Sequence, residues 1–313
     1  VAGMSTIETH LDGIRTTDAA SGWVRTFAGV CVAVWAGFTA IGLVVPVIPR
    51  LVTETLHGSA TLVGVAFATP AVVALLLRPV SGQLAQRWGP RSVVGLGAAL
   101  AAATGLAYAL PLGVAGLLAA RAVLGVAEAL LMTAGSVWAV SLAPQHRRGQ
   151  VVGLFGLSMW GGLSAGPVLG ELAYGVGSYA LVWALAATLP GIALLVLSRL
   201  PRGGLAGQRV SRRLLPPAAV LPGLALAAGA FGYASVTGFG ALAMAERGIA
   251  GGALLLSLFS AAYVTVRLLA SRLPDRFGPL PVIWTAAVLE AAGLVLIAVA
   301  PTWWVAAVGA VVA

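Results

Sequence analysis

Two ionisable residues stand inside one apolar stretch of the sequence, Arg121 and Glu128 in the run 113–143. A charge at mid-bilayer costs at least about 2.5–3.5 kcal/mol, so a residue kept there needs a reason. Seven residues make two helical turns, which puts both side chains on one helix face, about 10 Å apart along the axis. Rigid backbones at that spacing do not give a direct ion pair, whereas long side chains or water can shorten the gap. Two roles fit. In the first, Glu128 carries a proton and Arg121 lines a central cavity, with desolvation and the arginine pulling on the carboxyl's charge in opposite directions. In the second, both are static partners of neighbouring helices. Tyr233, Ser235 and Thr237 in the run 217–244 are candidate polar contacts for a substrate, or simply satisfied hydroxyls in a bundle. Glu290, halfway along the run 280–300, suits an interface role, and Glu171 lies where it meets headgroups or water.

The elements that must position these residues are transmembrane helices. Of 313 residues, 60% are hydrophobic and 9% charged, against about 25% charged in a soluble domain; the mean hydropathy is +1.01. The reading is an all-α membrane protein. Runs long enough to cross a bilayer, about 20 residues, lie near 25–48, 57–78, 92–111, 113–143, 149–173, 177–198, 217–244, 250–270 and 280–300. A tenth starts at Thr302 and reaches Ala313, too short to cross. The expectation is nine complete helices and part of a tenth, a truncated chain that does not transport alone. Met4 is an alternative start, and residues 1–22 lack the apolar core of a cleavable signal peptide.

The charge pattern gives these helices a direction. The net charge is +9 with no lysine, and the arginines fall in short loops rather than on one nucleic-acid-binding face. Arg50 and Arg247 lie on one side, Arg121 lies within a span, and the other fifteen of 18 basic residues lie on the side of the N-terminus. By the positive-inside rule that side is the cytoplasm, facing anionic lipid. Residues 1–22 are then a cytoplasmic tail and 23–198 a six-helix half. Residues 199–216 form a basic cytoplasmic linker, and 217–313 an incomplete second half. Cys31 stands alone, which excludes an internal disulfide and a cysteine metal site. Without lysine there is no phosphate-binding Gly-x4-Gly-Lys loop. The sequence also offers no nucleophilic triad or paired carboxylates at membrane depth, so an intramembrane enzyme is disfavoured, as is a scaffold. No metal or cofactor is expected.

An internal repeat sharpens the reading. Arg78, Leu84, Arg87, Gly89 and Pro90 recur as Arg267, Leu273, Arg276, Gly278 and Pro279, at a constant offset of 189 residues, and Trp88 aligns with Phe277. Repeated halves with a path between them are the logic of a secondary transporter. The first copy, Gly82-x-Leu84-x-Gln86-Arg87-x-Gly89-x-Arg91, resembles the gate-loop motif of the major facilitator superfamily. Gln86 stands where that family has an acid, and Asp275, beside Arg276 and Gly278, keeps it in the second copy. The resemblance implies two six-helix halves and a cytoplasmic charge contact at this loop. Gln86 hydrogen-bonds but cannot ion-pair, so the second copy would carry more of that contact.

Two further patterns point within the family. Arg121-x3-Gly125 is similar to its helix 4 arginine motif, tied to proton coupling in antiporters. Gly153-x8-Gly162-x3-Gly166-Pro167-x2-Gly170 resembles the antiporter motif of drug/proton exporters, with Glu171 where a final glycine is usual. Glycines every four residues let a neighbouring backbone approach, and Pro167 bends the helix. The resemblance implies a monomeric proton-coupled exporter of small molecules, driven by the proton gradient and multi-pass in the plasma membrane. A sugar or metabolite facilitator or symporter is the alternative.

Overall fold

A computed structural model describes residues 2–201, 220–270 and 273–313, with side chains from Gly22 onward except at His146 and scattered positions between 220 and 279. Most of the linker 199–216 and the side chains of Arg267 and Asp275 therefore lie outside the described residues, as do the side chains of the N-terminal tail. Every described element is helical. α1 spans Ala2–Leu43 and continues through a short turn, α2 (Val47–Arg50), and a π-turn (Leu51–Thr55). α3 (Ala60–Trp88), α4 (Pro90–Tyr108), α5 (Gly113–Leu142) and α6 (Arg148–Ser198) complete the first half. The second half holds α7 (Val220–Glu246), α8 (Gly252–Leu269), α9 (Leu273–Phe277), α10 (Pro279–Val299) and α11 (Trp303–Val312). Seven described segments are long and apolar enough to cross a membrane, with α6 counted once.

At 51 residues, α6 would be about 76 Å long if straight, over twice the hydrocarbon thickness of about 30 Å. It breaks at Gly177 and Ser178, whose backbone leaves the helical region, Ser178 with φ 53° and ψ −154°. Its neighbours show a reversal there. Gly162, Gly166 and Gly170 rise alongside Trp35, Gly42 and Leu43 of α1 in the same direction. After the break, Ala187 lies at Gly105, and Ser198 lies at Arg91, so this part runs antiparallel to α4. Among the described residues the most extensive pairing is α1 with α6, followed by α4 with α5 and α3 with α5.

The gate motif is mostly helix rather than loop. α3 continues through Gly82, Leu84, Gln86 and Arg87 to Trp88, because Gln, Leu, Ala and Arg are good helix formers and nothing between Pro79 and Gly89 interrupts the ladder. Gly89 alone turns the chain, with φ 81° and ψ 144°, and Pro90 opens α4. The second copy repeats this: Gly278 has φ 84° and ψ 155°, and Pro279 opens α10. The offset of 189 residues thus joins two turns of one backbone shape. L side chains rarely adopt such a φ. Gly89→Ala is expected to cost about 1–3 kcal/mol, read as a lower unfolding midpoint in detergent.

The halves meet along a seam: α2 and α3 touch α7, and α6 touches α8. Gly238 of α7 lies under the Phe67 ring and Gly64 of α3 faces Phe239. These contacts lie toward the membrane face opposite the Gly89 turn.

Candidate functional site

A proline cannot donate to the carbonyl four residues before it, so Pro70 leaves the Ala66 carbonyl of α3 without a helical partner. Arg121 of α5 fills that place. Its side chain is only 3% exposed, its Nε donates to the Ala66 carbonyl at 2.7 Å, and its guanidinium lies 5.3 Å from the centre of the Phe67 ring. Gly125, one turn on, allows the approach, since a Cβ there would stand 2.5 Å from the Pro70 carbonyl oxygen. Arg121-x3-Gly125 is therefore the surface that docks α5 on the Pro70 kink. The Tyr108 hydroxyl of α4 lies against the same guanidinium. Arg121 sits between three helices of one half rather than on an open cavity wall.

Glu128 lies two turns further along α5, half-buried, within reach of two positive charges, Arg78 and then Arg121. Arg78 of α3 crosses to α5 and places its guanidinium 3.2 Å from the Met132 sulfur, one turn beyond Glu128. Among the described residues the ion pair under 4 Å is Arg50–Glu171, at 3.1 Å, so Glu128 has charge neighbours without a contact pair. Arg78 reads in sequence as a residue snorkelling at a helix end. Nothing in its spacing ties it to an acid 50 positions later, and only the packing of α3 on α5 does so.

The α6 glycines divide into two kinds. Cβ atoms at Gly162 and Gly166 would stand 2.5 and 2.6 Å from backbone atoms of α1, and one at Gly170 would overlap the Leu43 carbonyl. Gly153 has nothing within 4 Å. The first three let α1 and α6 touch backbone to backbone. Gly42 completes the seam from the α1 side, where a Cβ would stand 2.7 Å from the Leu163 carbonyl oxygen. Glu171, beside Gly170, pairs with Arg50 instead of meeting headgroups or water, and Arg50 also covers the Tyr174 ring at 4.8 Å. The acid thus adds a charge clamp between α6 and α2, the continuation of α1.

At the other membrane face the gate motif has its own anchor. Arg91 donates to the Ser198 and Leu200 carbonyls, at 2.7 and 2.6 Å, and so satisfies the end of α6. Gln86 and Arg87 are exposed, and the Arg276 guanidinium lies over the Phe277 ring at 5.2 Å. A cavity of about 580 Å³ opens beside this anchor, walled by Arg25, Arg199 and Leu195. A smaller one of about 200 Å³ lies at the opposite face against Tyr108, Tyr179 and Trp183.

On α7, the Ser235 and Thr237 hydroxyls bond back to Phe231 and Tyr233 of their own helix, at 2.8 and 2.7 Å. Tyr233 instead reaches across the seam to the Leu163 carbonyl of α6, at 3.2 Å. Around it stand Trp160 of α6 and Phe259 and Tyr263 of α8, with ring centres 5.7–6.3 Å apart. Trp160 and Tyr263 escape a sequence reading because they are a hundred residues apart. Glu290 of α10 lays its carboxylate against Gly229 and Gly232 of α7, an interface position.

Comparison with known proteins agrees with this architecture. The sequence profile described as Major Facilitator Superfamily matches residues 30–313. An uncharacterized MFS-type transporter of Salmonella typhimurium is 30% identical over 297 residues, 92% of this chain and 76% of the relative. The uncharacterized MFS-type transporter YhhS of Escherichia coli K12 is 30% identical over 297 residues, 89% of this chain and 71% of its own. Among solved structures, the nucleoside transporter NupG superposes with a TM-score of 0.68 at 14% identity, covering 92% of this chain and 78% of its own. The human organic anion transporter MFSD10 gives 0.66 at 17% identity, covering 93% and 82%. The chain belongs to the major facilitator superfamily of secondary transporters.

Proposed function

We propose that the protein is a proton-coupled exporter of small molecules, working by alternating access as a monomer in the plasma membrane with its N-terminus in the cytoplasm. The observation that carries this reading is Glu128, a carboxylate within a membrane-spanning helix, flanked by Arg78 and Arg121 but in contact with neither. Ionised, it attracts both guanidiniums; protonated, it frees the Arg78 side chain to move. Proton load and the arrangement of α3 against α5 are then linked. A proton bound from outside is lost to the cytoplasm after the halves rock, and substrate moves the other way. Arg121, tied to Ala66, fixes the site, and Arg78 supplies the mobile charge. The glycine seam of α6 on α1, with Pro167 in it, fits the antiporter motif it resembles.

Energetically the scheme is sufficient. One charge falling through 100 mV yields about 2.3 kcal/mol, which sustains roughly a 50-fold gradient of a neutral substrate at 1.4 kcal/mol per decade. The gradient is the only energy source, and the arginine-rich face rests on anionic lipid.

The test uses everted vesicles holding the protein, acidified inside and offered a panel of dyes, drugs and sugars. A transported compound is expected to dissipate the pH gradient as it enters, and a protonophore to abolish its accumulation. Entry that only equilibrates the compound, indifferent to the protonophore, would point to a facilitator, and protons moving with the compound to a sugar or metabolite symporter. Either would overturn antiport.

A further inference from the structure

Of the four prolines inside α3 and α6, Pro70 and Pro167 each strip a carbonyl that a side chain of another helix then takes up, and the protein answers the two differently. Pro70 frees Ala66, and Arg121 of the same half takes its carbonyl in a buried, permanent tie. Pro167 frees Leu163, and the donor comes from the other half, the Tyr233 phenol at 3.2 Å. Within a bilayer a main-chain carbonyl without a donor is strongly disfavoured, because no water reaches it. Leu163 lies about 22 Å along its helix from Arg148, well inside the span. Gly42 leaves this carbonyl open, since a Cβ there would stand 2.7 Å from it. The phenol is steered by ring contacts with Trp160, Phe259 and Tyr263.

We propose that Tyr233 is a positioning residue of the transport cycle, a latch that docks the second half on the carbonyl Pro167 exposes and holds the seam shut toward the face opposite the Gly89 turn. This inference rests on alternating access but not on proton coupling or on Glu128. When the seam opens, phenol and carbonyl part, and water entering the gap becomes their partner. Opening is thereby tied to wetting, and the latch re-forms only when water leaves. The hydroxyl, rather than the ring, does the latching. The glycine seam thus has a second consequence beyond close packing: its proline makes an acceptor for the opposite half.

The experiment needs no substrate and no gradient. Cys31 is replaced by Ser and Gly238→Cys is introduced under Phe67, where a Cβ meets only ordinary contacts at 3.6 Å. Labelling of this thiol by a maleimide is followed on protein in nanodiscs. Tyr233→Phe, which keeps the ring, is expected to speed labelling about two- to tenfold, the range of one net hydrogen bond. Pro167→Ala gives position 167 an N–H, returns the Leu163 carbonyl to its helix, and is expected to speed labelling by a similar factor. The double variant is expected to label no faster than either single one, because the phenol matters only while the Leu163 carbonyl lacks a helical donor. Rates that multiply in the double variant would overturn the latch, since a merely structural role for each residue predicts independence. Unchanged labelling in Tyr233→Phe would also overturn it, and decides the matter alone if Pro167→Ala does not fold. Failure of the latch leaves compound-induced proton movement intact, so it is distinguishable from failure of the antiport reading.

Discussion

Gly166→Ala is expected to lower the unfolding midpoint by roughly 5 °C, and Gly153→Ala to leave it unchanged or raise it slightly. The two glycines belong to one motif but meet different surroundings. A methyl group at Gly166 would stand 2.6 Å from Gly42 Cα, the Gly42 carbonyl carbon and the Leu43 nitrogen. These are backbone atoms of α1, and no rotamer change moves them aside. α1 must shift as a body, and the contacts at Gly162 and Gly170 shift with it. Overpacking of this kind costs about 1–3 kcal/mol. At Gly153 nothing lies within 4 Å, and alanine is the better helix former by up to about 1 kcal/mol. The single partly buried thiol, Cys31, provides the readout: its reaction with a dye on heating reports unfolding. Equal destabilisation by both substitutions would contradict the seam.

Arg121→Met is expected to destabilise the protein by about 1–3 kcal/mol, the cost of a buried carbonyl left without a donor. Methionine approximates the length of the arginine but offers nothing to Ala66, and Pro70 cannot. The lost contact with Phe67 adds about 0.5–2 kcal/mol. Pro70→Ala supplies the missing N–H from within α3, so the double variant is expected to be more stable than Arg121→Met alone. That rescue separates the hydrogen bond from the charge. Transport would not return with stability, because Glu128 would still lack one of its two positive neighbours. If Pro70→Ala gave no rescue of stability, Arg121 would owe its place to something other than the freed carbonyl.

Much of this was legible in the sequence because the bilayer restricts the options. Apolar runs marked most helices to within a few residues, and the matched Gly89 and Gly278 turns lay in the repeat. The freed carbonyls were legible too, since Pro70 and Pro167 name positions 66 and 163 by simple counting. The donors were not. Arg121 comes to Ala66 from 55 positions away and Tyr233 to Leu163 from 70, and periodicity says which face a residue occupies, never which helix lies opposite. Arg78 illustrates the same limit, because its reach to Glu128 depends on how α3 leans on α5. The gate motif reads as a loop because glycine and polar residues suggest turns, whereas in the structure only Gly89 leaves helical geometry. Ser235 and Thr237 follow a simpler rule. A hydroxyl inside a helix has a carbonyl of its own preceding turn within reach, and both use it.

The proposed antiport depends on Glu128 carrying the coupled proton. Its most direct test is gradient-driven accumulation in everted vesicles, with Glu128→Gln measured beside the unaltered protein at equal amounts in the membrane. Glutamine keeps the shape and hydrogen-bonding capacity but cannot exchange a proton or attract Arg78. In the variant, accumulation against a gradient is expected to fall to the level of protonophore-treated vesicles, while downhill exchange of the same compound persists. A Glu128→Gln protein that still concentrates the compound in a protonophore-sensitive way would contradict it.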